Sequence, residues 1–406
     1  MTDLNPEIEP GVIASFLFQA GKFEEAEKIF KEILEKNPLD FQSLVLLGNL
    51  ALLKNKFFES EKLLLKAIKN YPEEPSPHAL LAEVYYRQDN FVQAAKHLRY
   101  YGVNDMAERL ESFEGIKPYQ VEGEKESYKI KMVSVDPLPI VHVKINDKEE
   151  VNFLIDTGAS EVFIDLDYSK EIGLMISEGN EGIYAGGKKA KTYTSKIDCI
   201  TLGELKIENI PVNLLPVRQF SQIFGGTRID GIIGTVLFYH FITTMDYPKG
   251  ELIFRKLSND QLTKFEHEIK ERNPIIVPFW LVEDHFMVAW GKVNDAEPIL
   301  LFVDTGLAGG GFTGSKMTLE EAKVKLDESK AFEGIGGGGK VKVIPFVVEK
   351  LTFGDAIEEN ISGMFTEVFP MEHKLGFRLG GIISHQFFKK YALTFDFIKM
   401  RFILVK

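Results

Sequence analysis

The phrase Asp-Thr-Gly occurs twice in this chain, each time at the end of an apolar run. LIDTGAS occupies residues 154–160 and LFVDTGLA occupies residues 301–308. An apolar run of this length, rich in β-branched residues, reads as a buried strand. Each such strand delivers a carboxylate, Asp156 or Asp304, onto a loop turned by glycine. The two aspartates lie 148 residues apart. If the loops meet face to face, their carboxyls cannot both ionise easily and must share a proton.

The flanks of these strands are duplicated as well. Asn146-Asp147 recurs as Asn294-Asp295, a hairpin-turn signal ahead of each Asp-Thr-Gly strand. The stretch 230–256 (DGIIGTVLFYHFITTMDYPKGELIFRK) matches 380–406 (GGIISHQFFKKYALTFDFIKMRFILVK). Glycine-rich segments at 182–187 and 334–339 also correspond, and the offsets are 148 to 152 residues throughout. Two tandem copies of one β-rich lobe explain this pattern. Between them, SNDQLTKFEHEIKERN at 258–273 reads as a connecting helix.

Ahead of the duplicated part the period is different. Residues near 11–101 repeat every 34 positions. Gly21, Asn55 and Asp89 share one phase, Phe23, Phe57 and Phe91 the next, then Ala26, Ser60 and Ala94. Pro38 and Pro72 close the first two units. The small residues let paired helices approach, the phenylalanines fill the groove between them, and the prolines end the second helix. The turn residues supply a left-handed backbone. This pattern resembles the tetratricopeptide repeat over about three units. Residues 103–115 read as a capping helix, and the polar stretch KPYQVEGEKES marks the boundary. The reading is therefore multidomain α and β. Helical repeats span 1–115, a linker 116–127, a first lobe 128–257, a connecting helix 258–274 and a second lobe 275–406.

A formal charge of −12 argues against nucleic acid as the main partner. The single cysteine, Cys199, rules out an intrachain disulfide and fits a reducing compartment. It lies in an alternating strand-like run and reads as a core residue. The N-terminus, MTDLNPEIEP, lacks the apolar region of a secretory signal, and no stretch approaches the roughly 18 apolar residues of a membrane span. The expectation is a cytoplasmic protein with no membrane partner.

The paired Asp-Thr-Gly loops, each followed by Gly-Ile-Ile, make residues 128–406 resemble the aspartic peptidases of the pepsin and retropepsin type, both lobes fused in one chain. The resemblance implies an all-β bilobal domain of double-ψ β-barrel character and a dyad of Asp156 and Asp304. One carboxylate would take a proton from water while the other, protonated, polarises the scissile carbonyl. It further implies that Thr157 and Thr305 lock the loops by reciprocal hydrogen bonds. Gly158 and Gly306 leave room for the turn and for the backbone amides. Ile232-Ile233-Gly234 and Ile382-Ile383-Ser384 would pack behind the loops. Both aspartates lie in one chain, so a monomer suffices for the site. The substrate would be an extended peptide, with a protein partner in the groove of the repeats.

Glycines 182, 186 and 187 with Tyr184, and glycines 334, 336 and 337, follow the two loops in a pattern like the retropepsin flap. Glycines at a hairpin tip permit opening and closing over substrate. Neither segment ends in Gly-Lys-Ser/Thr, so a phosphate loop is a poor alternative. The histidines lack zinc-helix spacing and no nucleotide fingerprint appears, so neither metal nor cofactor is expected. Some positions depart from the family pattern. Ala159 and Leu307 stand where pepsin-like enzymes usually carry a hydroxyl, Ser384 replaces the glycine of the first lobe, and Gly309-Gly310-Gly311 points to a looser second loop. These departures keep a second reading open, a weak or inactive peptide-binding relative or a repeat scaffold. Fewer donors to the ionised carboxyls would also leave the dyad's pKa values high.

Overall fold

The computed structural model describes residues 9–184, 188–283, 285–336, 339–367, 369 and 375–406. The chain divides into two compact units: Met1–Ile116 with Glu372–Leu379, and Lys117–Met371 with Gly380–Lys406.

The first unit is built from helical hairpins. Helices α1 (Pro10–Gln19), α2 (Phe23–Lys36), α3 (Phe41–Leu53), α4 (Phe57–Asn70), α5 (Ser76–Tyr86) and α6 (Phe91–Tyr101) pair in sequence, and α7 (Asn104–Glu111) follows. The repeat period has a direct cause. Gly21, Asn55 and Asp89 take positive φ of 75°, 53° and 58° and turn the chain between the helices of each pair. Ala26, Ser60 and Ala94 are fully buried on the second helix of each pair. At Gly48 a Cβ would fall 2.8 Å from the Leu64 side chain, so α3 and α4 meet too closely for any larger residue. Ser60 Oγ donates to the Gly48 carbonyl across that contact at 2.8 Å. Arg87, almost fully buried, ties neighbouring pairs together: it reaches Glu83 (2.7 Å) and the Leu52 carbonyl (3.0 Å). The unit also includes Phe377, whose ring stands edge-on to Phe18 and Phe23 at 6.1 and 5.1 Å. The Arg378 amide beside it donates to the Gln19 carbonyl at 2.7 Å. Nothing in the helical period announces this segment, because it is a short stretch of mixed polarity deep in the second half of the sequence.

Among the described residues, the second unit has two eight-stranded sheets and one six-stranded sheet. Strands of the two halves occupy matching places. In the first half, Val151–Ile155 runs parallel to Gly231–Ile233, which also pairs antiparallel with Val162–Asp165. In the second half, Ile299–Asp304 runs parallel to Gly381–Ser384, which pairs antiparallel with Phe312–Gly314. The six-stranded sheet joins both halves: Phe241–Asp246 pairs antiparallel with Ala392–Asp396. At its centre the hydroxyls of Thr244 and Thr394 share a buried hydrogen bond of 2.7 Å. Asn146 and Asp147 take φ of 48° and 56° in a turn closed by the Lys148 amide on the Ile145 carbonyl at 3.0 Å, within the connection from Ile140–Ile145 to Val151–Ile155. Asn259–Ile269 forms the helix between the halves, capped by Ser258 Oγ on the Gln261 amide. Cys199 is buried in a strand, and burial raises its thiol pKa. Among the described residues, no helix is long and apolar enough to cross a membrane.

Candidate active site

Each Asp-Thr-Gly loop starts where its strand leaves a parallel pairing with the Ile-Ile segment. The Asp156 amide donates to the Ile233 carbonyl at 3.0 Å, and Asp304 stands in register with Ser384. The backing strand thus fixes where each chain turns. Gly231 is required there, since a Cβ would fall 2.3 Å from the Phe153 ring.

The two loops interlock through their threonines. Thr157 Oγ1 donates to the Val303 carbonyl at 2.7 Å and accepts the Thr305 amide at 3.0 Å. Thr305 Oγ1 does the same in reverse, to the Ile155 carbonyl at 3.2 Å and from the Thr157 amide at 3.0 Å. Both threonines have no solvent exposure. Each hydroxyl therefore satisfies a buried donor and a buried acceptor of the other half. Replacing Thr157 by valine keeps the shape and orphans an amide and a carbonyl. The expected cost is about 2–4 kcal/mol of stability, read as a lower urea midpoint with unchanged slope.

This lock brings the carboxyls of Asp156 and Asp304 together, and they share a hydrogen bond. Gly158 and Gly306 each donate an amide at 2.7 Å to the carboxylate of their own loop. Each glycine also lies against the opposite aspartate. A Cβ at Gly306 would fall 2.1 Å from the Asp156 carboxyl carbon, and one at Gly158 2.6 Å from that of Asp304. Burial pushes the Asp304 carboxyl well above the usual carboxylate range, and the Asp156 charge beside it pushes the same way. Burial raises Asp156 also, opposed by its bond to Asp304 and by amides of Gly158, Ala159 and Gly306. The pair therefore holds one proton to higher pH than a separate carboxyl would.

The second loop is not the loose one its glycines suggest. The Gly311 amide donates to the Ser362 carbonyl at 2.7 Å, and the Ser384 amide to the Gly311 carbonyl at 3.0 Å. Ser384 Oγ donates to the Gly310 carbonyl. The serine fits where the first half needs glycine because a Cβ at Gly234 would meet the Glu161 and Ser160 carbonyls within 2.4 Å. Ser384 thus anchors the loop rather than weakening it.

An apolar cluster of Leu138, Ile140, Leu154, Leu215, Val217, Ile229 and Ile232 adjoins the loops, with partly buried Ala159, Phe220, Phe224 and Ala308 against it. Of the expected flap residues, Gly182 and Tyr184 lie in strand Ser177–Tyr184, where Gly182 pairs with Ala190. Gly334 and Gly336 lie in Phe332–Gly336, paired with Val341 and Gly339. Gly186, Gly187 and Gly337 lie outside the described residues.

Residues 141–237 match the aspartyl protease family model. Residues 17–84 match the tetratricopeptide repeat model. A comparison with curated proteins found no match. Among solved structures, a retropepsin-like aspartic protease from Rickettsia conorii is similar at 19% identity and a TM-score of 0.25, covering 34% of this chain and 95% of that one. An aspartic proteinase from Irpex lacteus is similar at 12% identity and a TM-score of 0.41, covering 69% of this chain and 97% of that one. The chain thus joins N-terminal tetratricopeptide repeats to an aspartyl protease domain.

Proposed function

We propose that the protease domain is an aspartic endopeptidase acting on extended peptide segments, with Asp156 and Asp304 as its catalytic residues. The observation that carries this reading is the half-buried, hydrogen-bonded pair of carboxyls held by reciprocal threonine bonds. In the singly protonated pair, the ionised carboxylate removes a proton from water. The protonated partner donates a hydrogen bond to the scissile carbonyl as the water oxygen adds. The tetrahedral adduct then collapses, the amine leaves with a proton, and no covalent enzyme intermediate forms. Phe220, Phe224, Ala159 and Ala308 suit an apolar side chain beside the scissile bond. The hairpins bearing Gly182, Tyr184, Gly334 and Gly336, with Gly186, Gly187 and Gly337, would serve as flaps. The helical repeats would recruit a protein partner, and the lone cysteine favours a cytoplasmic site of action.

The pKa directions set the pH dependence. Activity needs one proton on the dyad. It falls as pH drops through the lower pKa of the dyad, when both carboxyls are protonated, and as pH rises through the upper one, when both ionise. Both values are raised, so the bell shifts upward. The profile of kcat/KM against pH should peak at mildly acidic to neutral pH. A maximum below about pH 4 would contradict this.

A further inference from the structure

The structure points to His385 as a device of the second half that has no counterpart of its kind in the first. Behind the first loop, Thr235 Oγ1 donates to the Thr157 carbonyl at 3.1 Å, fully buried, from the position directly after Ile-Ile-Gly. Behind the second loop the residue directly after Ile-Ile-Ser is His385, also without solvent exposure. Its Nδ1 lies 3.2 Å from the Leu307 carbonyl. The two bonds span the same sequence separation of 78 residues. A carbonyl only accepts, so the proton sits on Nδ1, and Nε2 is left as a bare acceptor. Among the described residues, the buried Nε2 has no hydrogen-bond partner.

We infer that His385 is a positioning residue of the protease: its neutral Nδ1–H holds the Leu307 carbonyl and so fixes the second Asp-Thr-Gly loop. This rests on the endopeptidase reading for its kinetic consequence, though not for its geometry. The residue before Leu307, Gly306, donates its amide to the Asp304 carboxyl at 2.7 Å, and the Leu307 amide itself helps to hold that carboxyl's pKa down against burial. Restraining Leu307 therefore restrains a group that touches the dyad, and a displacement of about 1 Å at such a site can cost about 10²-fold in rate. The imidazole is also kept neutral. Burial pushes its pKa down to about 4, aided by Lys389 and opposed by the Leu307 bond and Asp136. Lys389 and Asp136 pair with each other at 2.8 Å. An imidazolium there would place a second N–H⁺ where no acceptor among the described residues faces it.

Asparagine presents an amide N–H near the place of Nδ1, whereas leucine fills the space and donates nothing. In the full-length protein, H385N should keep kcat within about threefold of wild type. H385L should lose kcat by about 10- to 100-fold with KM within about twofold. A second readout needs no activity. In ¹⁵N-histidine spectra, the His385 signal should show the Nδ1–H tautomer and stay neutral to well below the ordinary histidine pKa of about 6.5. H385L with wild-type kcat overturns the proposal, as does H385N impaired as badly as H385L. An Nε2–H tautomer, or protonation of His385 near pH 6.5, overturns it as well. If H385L does not fold, H385N and the spectra decide. Should wild type itself prove inactive, the endopeptidase reading fails while the tautomer result still judges the His385 bond.

Discussion

Asp156→Asn and Asp304→Asn should each abolish peptide cleavage, with kcat/KM falling by at least about 10³-fold. An effect this large is expected because the dyad acts as a unit: removing either carboxyl removes both the base and the acid that its partner would become. The two variants should be equally inactive despite the unequal environments of the two residues. Their stability should move the other way. The folded dyad holds its proton more tightly than the unfolded chain does. Its contribution to stability is therefore present at low pH and is lost as pH rises through the raised folded-state values. A neutral amide removes that penalty, so above pH 7 each variant should melt at a higher temperature than wild type. An inactive protein that melts higher separates loss of chemistry from loss of fold. Wild-type cleavage by either variant would sink the shared-proton account.

Gly306→Ala carries the second large effect. The added methyl would sit 2.1 Å from the Asp156 carboxyl carbon, well inside van der Waals contact. Neither side has room to yield, since Gly306 donates to Asp304 and Thr305 beside it is fully buried in the lock. The overpacking should cost about 1–3 kcal/mol of stability. The larger effect is geometric, because the methyl pushes the two carboxyls apart, and kcat should drop by about 10²-fold or more. Gly158→Ala should do the same to a smaller degree, because its methyl would lie 2.6 Å from the Asp304 carboxyl carbon. Urea unfolding and steady-state kinetics on the two variants measure both parts. Normal kinetics in Gly306→Ala would mean that the loops do not meet as described.

Much of this was written in local sequence. Strands ending on Asp-Thr-Gly are legible because a buried strand needs a continuous apolar run and a turn needs glycine. The repeat phase of Gly21, Asn55 and Asp89 is legible because a left-handed turn residue must recur wherever the hairpin does. What stayed hidden depends on partners far along the chain. Thr235 and His385 look like ordinary residues opening a short helix, and only the fold shows a carbonyl 78 residues earlier in front of each. The repeated position after Ile-Ile was the one available signal, and it was obscured by the change from hydroxyl to imidazole. Ser384 read as a defect because the first half has glycine there. The cause of that difference is local to each half. Ser160 and Glu161 crowd Gly234, whereas the glycines at 309–311 leave space for a serine that donates back to Gly310. Phe377 was hidden for a different reason: a single aromatic ring against Phe18 and Phe23 leaves no periodic trace.

In the proposed mechanism a proton-sharing carboxyl pair drives water directly onto a peptide bond. Incubating the full-length protein with a diverse peptide library in H₂¹⁸O, at mildly acidic to neutral pH, tests it most directly by mass spectrometry. New peptide ends should carry one ¹⁸O in the freshly formed carboxyl group, and none should appear when Asp304→Asn replaces the wild type. An absence of cleaved peptides from wild type across that range, or labelled products of equal yield from Asp304→Asn, would contradict it.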